Sequence, residues 1–355
     1  MAVPRSLLEL EGPQPEFSAS RISRISQFCG RLRSSRGVSR TLPCVFRESM
    51  RASVCGALRR HAAFRRPVAG RWLSSSKEDL TLDRTTRDGI RVVTLNNPSK
   101  FNGWNVPMLM SLKNQFRAAS EDEACKAMIL TGNGDYYCAG VDLASSLKPM
   151  MPAALHQMIY ESNKAVFDTF LEFEKPLCVA MQGPVLGAAL TTATLSDGIV
   201  ASEKATFSTP FARLGVPPEG CSSVHFEWLM GSDNAKRMLG SEGWVPTAAE
   251  AEAVNLIDKC VPHDEVLDAA EAMVKGWLDD PNYVKNHRGY TDTRKLLDVN
   301  RAESLDLADA FLGTPFLQGQ ADFLESKGKT KPALAFKFLI LTRPAWSLLL
   351  PSRTA

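Results

Sequence analysis

The sequence predicts an α/β fold, because short apolar runs typical of buried strands alternate with amphipathic runs typical of helices. After Glu219 the pattern becomes mostly helical. The composition is that of a globular protein, since 44% of the 355 residues are hydrophobic and 23% are charged. No repeat of solenoid length and no low-complexity linker divides the chain beyond residue 77. We therefore expect one α/β body with a helical C-terminal part.

The first elements are a hairpin, a helix and a buried strand. The segment "LTLDRTTRDGIRVVTLNN" holds two alternating runs on either side of Asp88 and Gly89, which is a hairpin signal. The segment "NVPMLMSLKNQFRAAS" predicts a helix with Asn105 as its N-cap and Pro107 in its first turn. The segment "ACKAMILTGNG" predicts a buried strand that ends in a glycine-rich turn.

The same alternation then repeats along the chain. It predicts a helix over 156–173, a strand over 176–183, a helix of small residues from Gly187 and a strand over 198–202. Further on, "AAEAEAVNLIDKCVP" predicts a helix followed by a short strand, and "DEVLDAAEAMVKGWL" predicts a strongly periodic helix. Residues 295–343 are expected to form more helices joined by short loops.

The first 76 residues differ in charge from the rest of the chain. They hold 14 arginines, no lysine and 4 acidic residues, a formal charge of +10, whereas the remaining residues hold 28 basic and 35 acidic residues, a charge of −7. An Arg-rich, Ser-rich and acid-poor leader is typical of a mitochondrial transit peptide. The stretch from Met50 fits best, because it has six arginines and no acidic residue up to Ser76. We expect residues 1–76 to be a leader and the protein to act in the mitochondrial matrix.

Two other interpretations of the termini are weaker. A basic arm for nucleic acid is disfavoured because the leader lacks lysine and interleaved aromatic residues. The chain ends in "SRTA", so an SKL-type peroxisomal signal is missing. The only long apolar stretch near the C-terminus is interrupted by Lys337, Arg343 and Pro344, so we expect no membrane span.

The cysteine and histidine patterns argue against disulfides and metal. Five cysteines follow the leader, an odd number, and they are widely spaced with no CxxC pair: Cys125, Cys138, Cys178, Cys221 and Cys260. We expect reduced thiols, no disulfide framework and no zinc site. The scattered histidines show no metal-ligand spacing, so we expect no metal site.

Three glycine-containing turns follow apolar strands, and a nucleotide-binding interpretation of them fails. Gly132 and Gly134 form a G-x-G, but Tyr137 stands where the third glycine of a dinucleotide fingerprint belongs, and no GK[ST] occurs. Such turns can instead aim backbone N–H groups into a cleft. The N–H groups of Val141 and Ala188 would form a two-donor oxyanion hole if they point at one position. The alternative is that these are merely tight turns.

Glu219 is a nearly isolated acid in "GVPPEGCSS", and from Ala205 to Phe226 Arg213 is the only other charged residue. One interpretation is a solvated loop acid. The other is a positioned base, because a carboxyl group in an apolar pocket has a raised pKa and can move protons near neutral pH.

Three motifs resemble the enoyl-CoA hydratase/isomerase (crotonase) superfamily, most closely its Δ3,Δ2-enoyl-CoA isomerase branch. They are "TGNGDYYCAGVDL", "QGPVLGAALTTATLSDGIVAS" and "ATFSTPFARLGVPPEGCSS", in the order and spacing of that family. The resemblance runs from about Leu80 to about Asp280. It implies a crotonase-like spiral of ββα units over residues 77–280 and a C-terminal helical part over 281–355 that forms trimer or hexamer contacts.

The resemblance also implies the reaction. A hydratase carries carboxylates at the positions of Thr191 and Phe211, so this chain lacks both acids, whereas Glu219 matches the single catalytic glutamate of the isomerase branch. We expect an enzyme that converts cis or trans 3-enoyl-CoA to trans-2-enoyl-CoA in unsaturated fatty acid oxidation. Glu219 would carry the proton from C2 to C4, and the amides of Val141 and Ala188 would stabilise the dienolate.

Coenzyme A enters as part of the acyl-CoA substrate, and no separate cofactor is expected. The resemblance places adenine and phosphate contacts in "NPSKFNGWN" and the pantetheine path along "AGVDL". The substrate-binding candidates are Lys100, Phe101, Gly103, Ala139, Gly140, Val141, Asp142, Leu143 and Phe211. A surface lysine is the alternative for Lys100.

Two other functions stay open. One is enoyl-CoA hydration or other enolate chemistry on an acyl-CoA, which two well-placed carboxylates would favour. The other is a non-catalytic module that binds coenzyme A, for which loss of the acid at position 219 would be typical.

Overall fold

The computed structural model describes residues 79–142 and 151–350. Within these ranges the chain forms a six-stranded sheet, a two-stranded sheet and a series of helices that dominate the C-terminal half. The predicted leader over 1–76 and the candidate Leu143 lie outside the described residues. This architecture matches the α/β class with a helical C-terminal part that the sequence predicts.

The strands are β1 (Thr81–Thr85), β2 (Ile90–Leu95), β3 (Ala127–Gly132), β4 (Leu177–Met181), β5 (Val185–Leu186), β6 (Gly198–Ser202), β7 (Phe207–Ser208) and β8 (Lys259–Val261). The larger sheet has the order β1-β2-β3-β4-β6-β8. β1 pairs antiparallel with β2, and all other neighbours in this sheet are parallel. β5 and β7 form the small parallel sheet.

The helices are α1 (Val106–Glu121), α2 (Pro152–Leu171), α3 (Ala188–Thr194), α4 (Phe211–Leu214), α5 (Ser222–Leu239), α6 (Ala248–Ala253), α7 (Val266–Asp279), α8 (Thr293–Phe311), α9 (Thr314–Ser326) and α10 (Thr330–Trp346). The predicted hairpin and N-cap are both confirmed. Gly89 closes the turn between β1 and β2 with φ of 81°, a conformation that favours glycine. The Asn105 side chain accepts a hydrogen bond of 2.9 Å from the Met108 N–H at the start of α1.

The central strands are buried on both faces, which explains their uninterrupted apolar sequence. Alternate residues of β3 enter two different cores: Ile129 packs toward α7, while Met128 and Leu130 belong to the larger core that α1 covers. α7 contributes Val266, Ala270 and Val274, and α1 contributes Met108, Leu112 and Phe116, each set at a spacing of four residues. The helical spacing seen in the sequence therefore identifies the buried face of each helix.

The C-terminal helices leave part of their apolar surface uncovered. Phe323 on α9 and Phe338 and Leu341 on α10 are exposed, and Ala333 is the buried residue of α10. Among the described residues, no helix combines the length and the apolar character needed to cross a lipid bilayer.

Candidate active site

Glu219 lies on a turn that only glycine can complete. The chain leaves α4 at Gly215, passes Pro217 and Pro218, and turns into α5 through Gly220, whose φ is 69°. A Cβ on Gly220 would lie 2.2 Å from Cε1 of Phe167 on α2. The same Cβ would lie 2.7 Å from Oγ1 of Thr191 on α3. The turn therefore presses against α2 and α3 at the point where Glu219 enters the protein.

The Glu219 side chain is buried, with 8% of its surface exposed, and one amide group holds it. Asn163 of α2 donates a hydrogen bond from Nδ2 to Oε2 of Glu219. Ser304 of α8 donates to Oδ1 of the same amide at 2.8 Å, so the Nδ2 group must face the carboxylate. None of the described residues donates a hydrogen bond to Oε1, which leaves that oxygen available to a substrate.

The environment of Glu219 suits a base that works near neutral pH. Burial raises the pKa of Glu219 to about 7, the hydrogen bond from Asn163 opposes the rise, and the charge of Glu303 adds to it. A carboxyl group with such a pKa can both accept and return a proton at physiological pH.

Glu303 of α8 is a second buried carboxylate near this turn. Its oxygens accept hydrogen bonds from the Cys221 N–H at 2.6 Å, from the Ser223 N–H at 2.9 Å and from the Ser223 hydroxyl. Burial raises the pKa of Glu303 to about 7, and these donors oppose the rise. Both oxygens of Glu303 are thus occupied by the first turn of α5.

The two predicted amide donors lie on neighbouring turns. Trp104 donates from its N–H to the Gly140 carbonyl, and Asp142 donates to the Trp104 carbonyl, both at 2.8 Å. These two bonds make Trp104 and Val141 a parallel bridge, in which the N–H of Val141 points away from Trp104. Ala188 is the first residue of α3, so its N–H has no partner within the helix. Within the described residues neither N–H donates a backbone hydrogen bond.

Close packing holds these two turns together. Cys138 pairs with Val185 in a parallel bridge, and a Cβ on Gly140 would lie 2.7 Å from the Leu186 carbonyl oxygen. The Gly187 N–H, one residue before Ala188, donates to Ser208 of β7 at 2.8 Å. Thr191, one turn beyond Ala188, lies against Gly220, so α3 extends from the Ala188 amide to the Glu219 turn.

The two positions that carry acids in a hydratase hold no carboxylate. Thr191 is fully buried and donates from Oγ1 to the Ala188 carbonyl at 3.3 Å. Phe211 begins α4 and is buried. Neither group can activate water near neutral pH.

Several of the predicted coenzyme A residues lie on two loops that form hydrogen bonds with each other. Ala139 donates from its N–H to the Phe101 carbonyl at 2.9 Å, which ties the loop after β2 to the turn that carries Val141. Phe101 is 53% exposed, and its ring centroid lies 4.8 Å from that of Tyr136. Lys100 is exposed, and Gly103 is buried with its N–H on the Lys100 carbonyl at 2.9 Å. Asp142 is exposed at the end of the turn.

Local sequence patterns do not reveal the residues that hold Glu219 from other helices. Asn163, Ser304 and Glu303 lie 56 to 85 positions away along the chain, so no local motif contains them. A signal existed for Asn163, because a polar residue on the face of α2 that also carries Phe167 and Phe170 needs a buried partner.

Other reactive residue types near the site are inert. Burial raises the pKa of Cys138 to about 12 and also raises that of Cys221, so neither thiol forms a nucleophilic thiolate at neutral pH. Burial lowers the pKa of His225 to about 4, and this histidine is held by the His287 carbonyl at 3.0 Å. In the described part of the chain, no cluster of three or more potential metal ligands occurs.

Comparisons with known proteins identify the family. The sequence model of the enoyl-CoA hydratase/isomerase family matches residues 85–305. Enoyl-CoA delta isomerase 2 of Homo sapiens is 33% identical over 258 residues, covering 70% of this chain and 64% of the relative. Peroxisomal enoyl-CoA delta isomerase 3 of Mus musculus is 30% identical over 254 residues, covering 70% of this chain and 79% of the relative.

A solved structure shows the same fold. The enoyl-CoA hydratase/isomerase from Pseudoalteromonas atlantica T6c superposes with a TM-score of 0.60 at 25% identity, covering 70% of this chain and 97% of that one. The crotonase-like fold and the family resemblance are therefore confirmed. The chain belongs to the enoyl-CoA hydratase/isomerase family.

Proposed function

We propose that the protein is a Δ3,Δ2-enoyl-CoA isomerase that converts 3-enoyl-CoA to trans-2-enoyl-CoA in unsaturated fatty acid oxidation. The observation that carries this proposal is the buried carboxyl group of Glu219, whose pKa is raised to about 7 while its Oε1 accepts no hydrogen bond from the described residues. Similarity to enoyl-CoA delta isomerases at 30% and 33% identity supports the same reaction.

The chemistry needs one base and one oxyanion site. Glu219 removes a proton from C2 of the 3-enoyl thioester, and the electrons move onto the thioester oxygen to form a dienolate. The same carboxyl group returns the proton at C4, which leaves the double bond between C2 and C3. A raised pKa suits both steps, because the group must gain and lose the same proton.

The N–H groups of Val141 and Ala188 are proposed to bind the thioester oxygen. The Val141 N–H points away from its bridge partner. The Ala188 N–H lies at the start of a helix, where the helix dipole favours negative charge. Negative charge on the oxygen is greatest in the dienolate, so these donors stabilise the transition state more than the substrate. Removal of one such donor typically lowers kcat by ~10²–10³.

Hydration is the alternative reaction, and the positions of the carboxylates argue against it. Adding water needs a second acid beside the substrate, but Thr191 and Phe211 occupy the positions that provide it. Glu303 is the carboxylate whose charge acts on Glu219, and the first turn of α5 already occupies both of its oxygens. A single available base favours proton transfer within one substrate.

The substrate's coenzyme A group is proposed to lie along Lys100, Phe101, Gly103 and the turn from Ala139 to Leu143. The exposed Lys100 supplies a cation for phosphate, and the exposed Phe101 and its neighbour Tyr136 offer an aromatic surface near the adenine. Phe211 and Phe207 are buried and would keep water from the reacting carbons.

An ultraviolet assay tests the reaction, because conjugation with the thioester carbonyl gives 2-enoyl-CoA an additional absorption that 3-enoyl-CoA lacks. We expect absorbance to rise when the protein meets 3-enoyl-CoA and to stay constant when it meets 2-enoyl-CoA. A fall with 2-enoyl-CoA would support the hydratase instead. Tight binding of an unreactive acyl-CoA without turnover of either substrate would support a non-catalytic module.

Location and assembly are separate proposals. The basic leader over 1–76 is proposed to direct import into the mitochondrial matrix, and a reporter fused to residues 50–76 should enter mitochondria. A diffuse cytosolic signal from this fusion and from a 1–76 fusion would contradict it.

The exposed Phe338 and Leu341 of α10 support a homotrimer or hexamer, which sedimentation of the protein would measure.

A further inference from the structure

Helix α8 supports Glu219 through two adjacent residues, one on the turn and one on Asn163. Glu303 binds the N–H groups of Cys221 and Ser223, the residues two and four positions after Glu219. Ser304 donates to Asn163, whose amide in turn donates to the Glu219 carboxylate. One helix thus holds both the backbone that carries Glu219 and the side chain that orients it.

The backbone contact meets a local need. Cys221 is the N-cap of α5, but its side chain caps no N–H group of the helix. Its φ of 64° lies in the left-handed region, which a residue with a Cβ rarely adopts. An anion that accepts from the first N–H groups of a helix is stabilised by the helix dipole. Glu303 therefore replaces the missing cap and stabilises an unfavourable turn from outside it.

We propose that Glu303 is a positioning residue for the reaction: its carboxylate fixes the strained turn at Cys221 and thereby holds Glu219 in the orientation for proton transfer. This inference rests on the proposed isomerase function. Glu303 is 5% exposed and both of its oxygens are engaged, so it acts through Glu219 and not on the substrate.

The charge of Glu303 gives this role a signature in the pH profile. Glu303 is the charged group that raises the pKa of Glu219 through space, and Asp306 acts on Glu303 in the same way. Asn163, which donates a hydrogen bond to Glu219, is neutral. Replacing Glu303 by a neutral amide removes a negative charge, so Glu219 ionises more easily and the acidic limb of kcat should move to lower pH.

The test compares full-length Glu303→Gln with wild type and with Glu325→Gln, a matched control in a surface ion pair on α9. We expect kcat to fall about tenfold or more with KM within twofold, and the acidic limb to move to lower pH. We also expect faster amide hydrogen exchange over residues 219–226 in the absence of substrate. The control should match wild type in all of these.

The outcomes separate the two proposals. Wild-type protein that is inactive on 3-enoyl-CoA contradicts the proposed function, while hydrogen exchange still decides whether Glu303 anchors the turn. An active Glu303→Gln with unchanged kcat, pH profile and exchange overturns the positioning role. If Glu303→Gln does not fold, Ser223→Ala removes the hydroxyl donor alone, and we expect kcat to fall and hydrogen exchange over residues 219–226 to quicken by about two- to threefold each. A folded Ser223→Ala whose hydrogen exchange and kcat match those of wild type would then overturn the positioning role.

Discussion

Glu219 and Glu303 are two buried glutamates on either side of one turn, and they differ in the hydrogen bonds that they accept. Both are less than a tenth exposed, and burial raises the pKa of each to about 7. Glu303 accepts three hydrogen bonds from Cys221 and Ser223, whereas Glu219 accepts one from Asn163. Burial alone therefore does not distinguish the two carboxylates. The hydrogen bonds do, because both oxygens of Glu303 are engaged while Oε1 of Glu219 accepts none from the described residues.

Replacing the proposed base should have the largest effect. We expect Glu219→Gln to lower kcat on 3-enoyl-CoA by about 10²–10⁴, because the amide keeps the shape of the side chain but cannot accept the C2 proton. Affinity for an unreactive acyl-CoA, measured by calorimetry, should change little. A folded variant with near wild-type kcat would place the base elsewhere.

Removing one amide donor should come next. We expect Ala188→Pro to lower kcat by about 10²–10³, because proline has no N–H to offer the thioester oxygen. Ala188 is the first residue of α3, where proline is tolerated. Ala248→Pro, at the first position of α6, is the control for the fold. Unchanged kcat in a folded Ala188→Pro would show that this amide does not meet the substrate.

The two glutamates should also differ in their effect on stability. The pKa of Glu219 is raised in the folded state, so folding disfavours its ionised form and wild type loses stability as pH rises from about 4.5 to 7. Glu219→Gln lacks this loss, and we expect it to be more stable than wild type by ~1–3 kcal/mol at pH 8 and by little at pH 4.5. Urea unfolding at both pH values measures this.

Glu303→Gln should gain less stability at pH 8 than Glu219→Gln, because an amide offers the three donors one acceptor oxygen where the carboxylate offers two. We expect its free energy of unfolding at pH 8 to lie below that of Glu219→Gln in the same urea experiment. Equal increases in the free energy of unfolding for both variants would mean that the two carboxylates are energetically alike, which contradicts the comparison.

The smallest expected effect is a shift in the pH profile caused by Asn163. Its hydrogen bond lowers the pKa of Glu219, so Asn163→Ala should raise that pKa and move the acidic limb of kcat to higher pH by roughly one unit. This is opposite to the shift expected for Glu303→Gln. Both variants moving the limb the same way would show that loosening of the turn, and not charge, sets the profile.

Much of the fold follows from local patterns. The alternation of strands and helices, the hairpin at Gly89 and the N-cap at Asn105 each depend on a few neighbouring residues, and the structure confirms all three. Glu219 could be singled out because prolines, a glycine and an absence of nearby charge mark it within nine residues. Its neighbours along the sequence are mostly apolar. In the folded protein, however, the polar Asn163 and the acidic Glu303 lie beside it.

The sequence by itself determined the α/β class, the family and the isolated acid at position 219, because these reside in short motifs whose spacing carries the information. Only the tertiary structure decided which groups surround that acid. Asn163, Ser304 and Glu303 come from α2 and α8, and their positions depend on how those helices pack, which no window of neighbouring residues contains. Their effect on Glu219 acts through space over a few ångströms, so it exists only once the chain has folded.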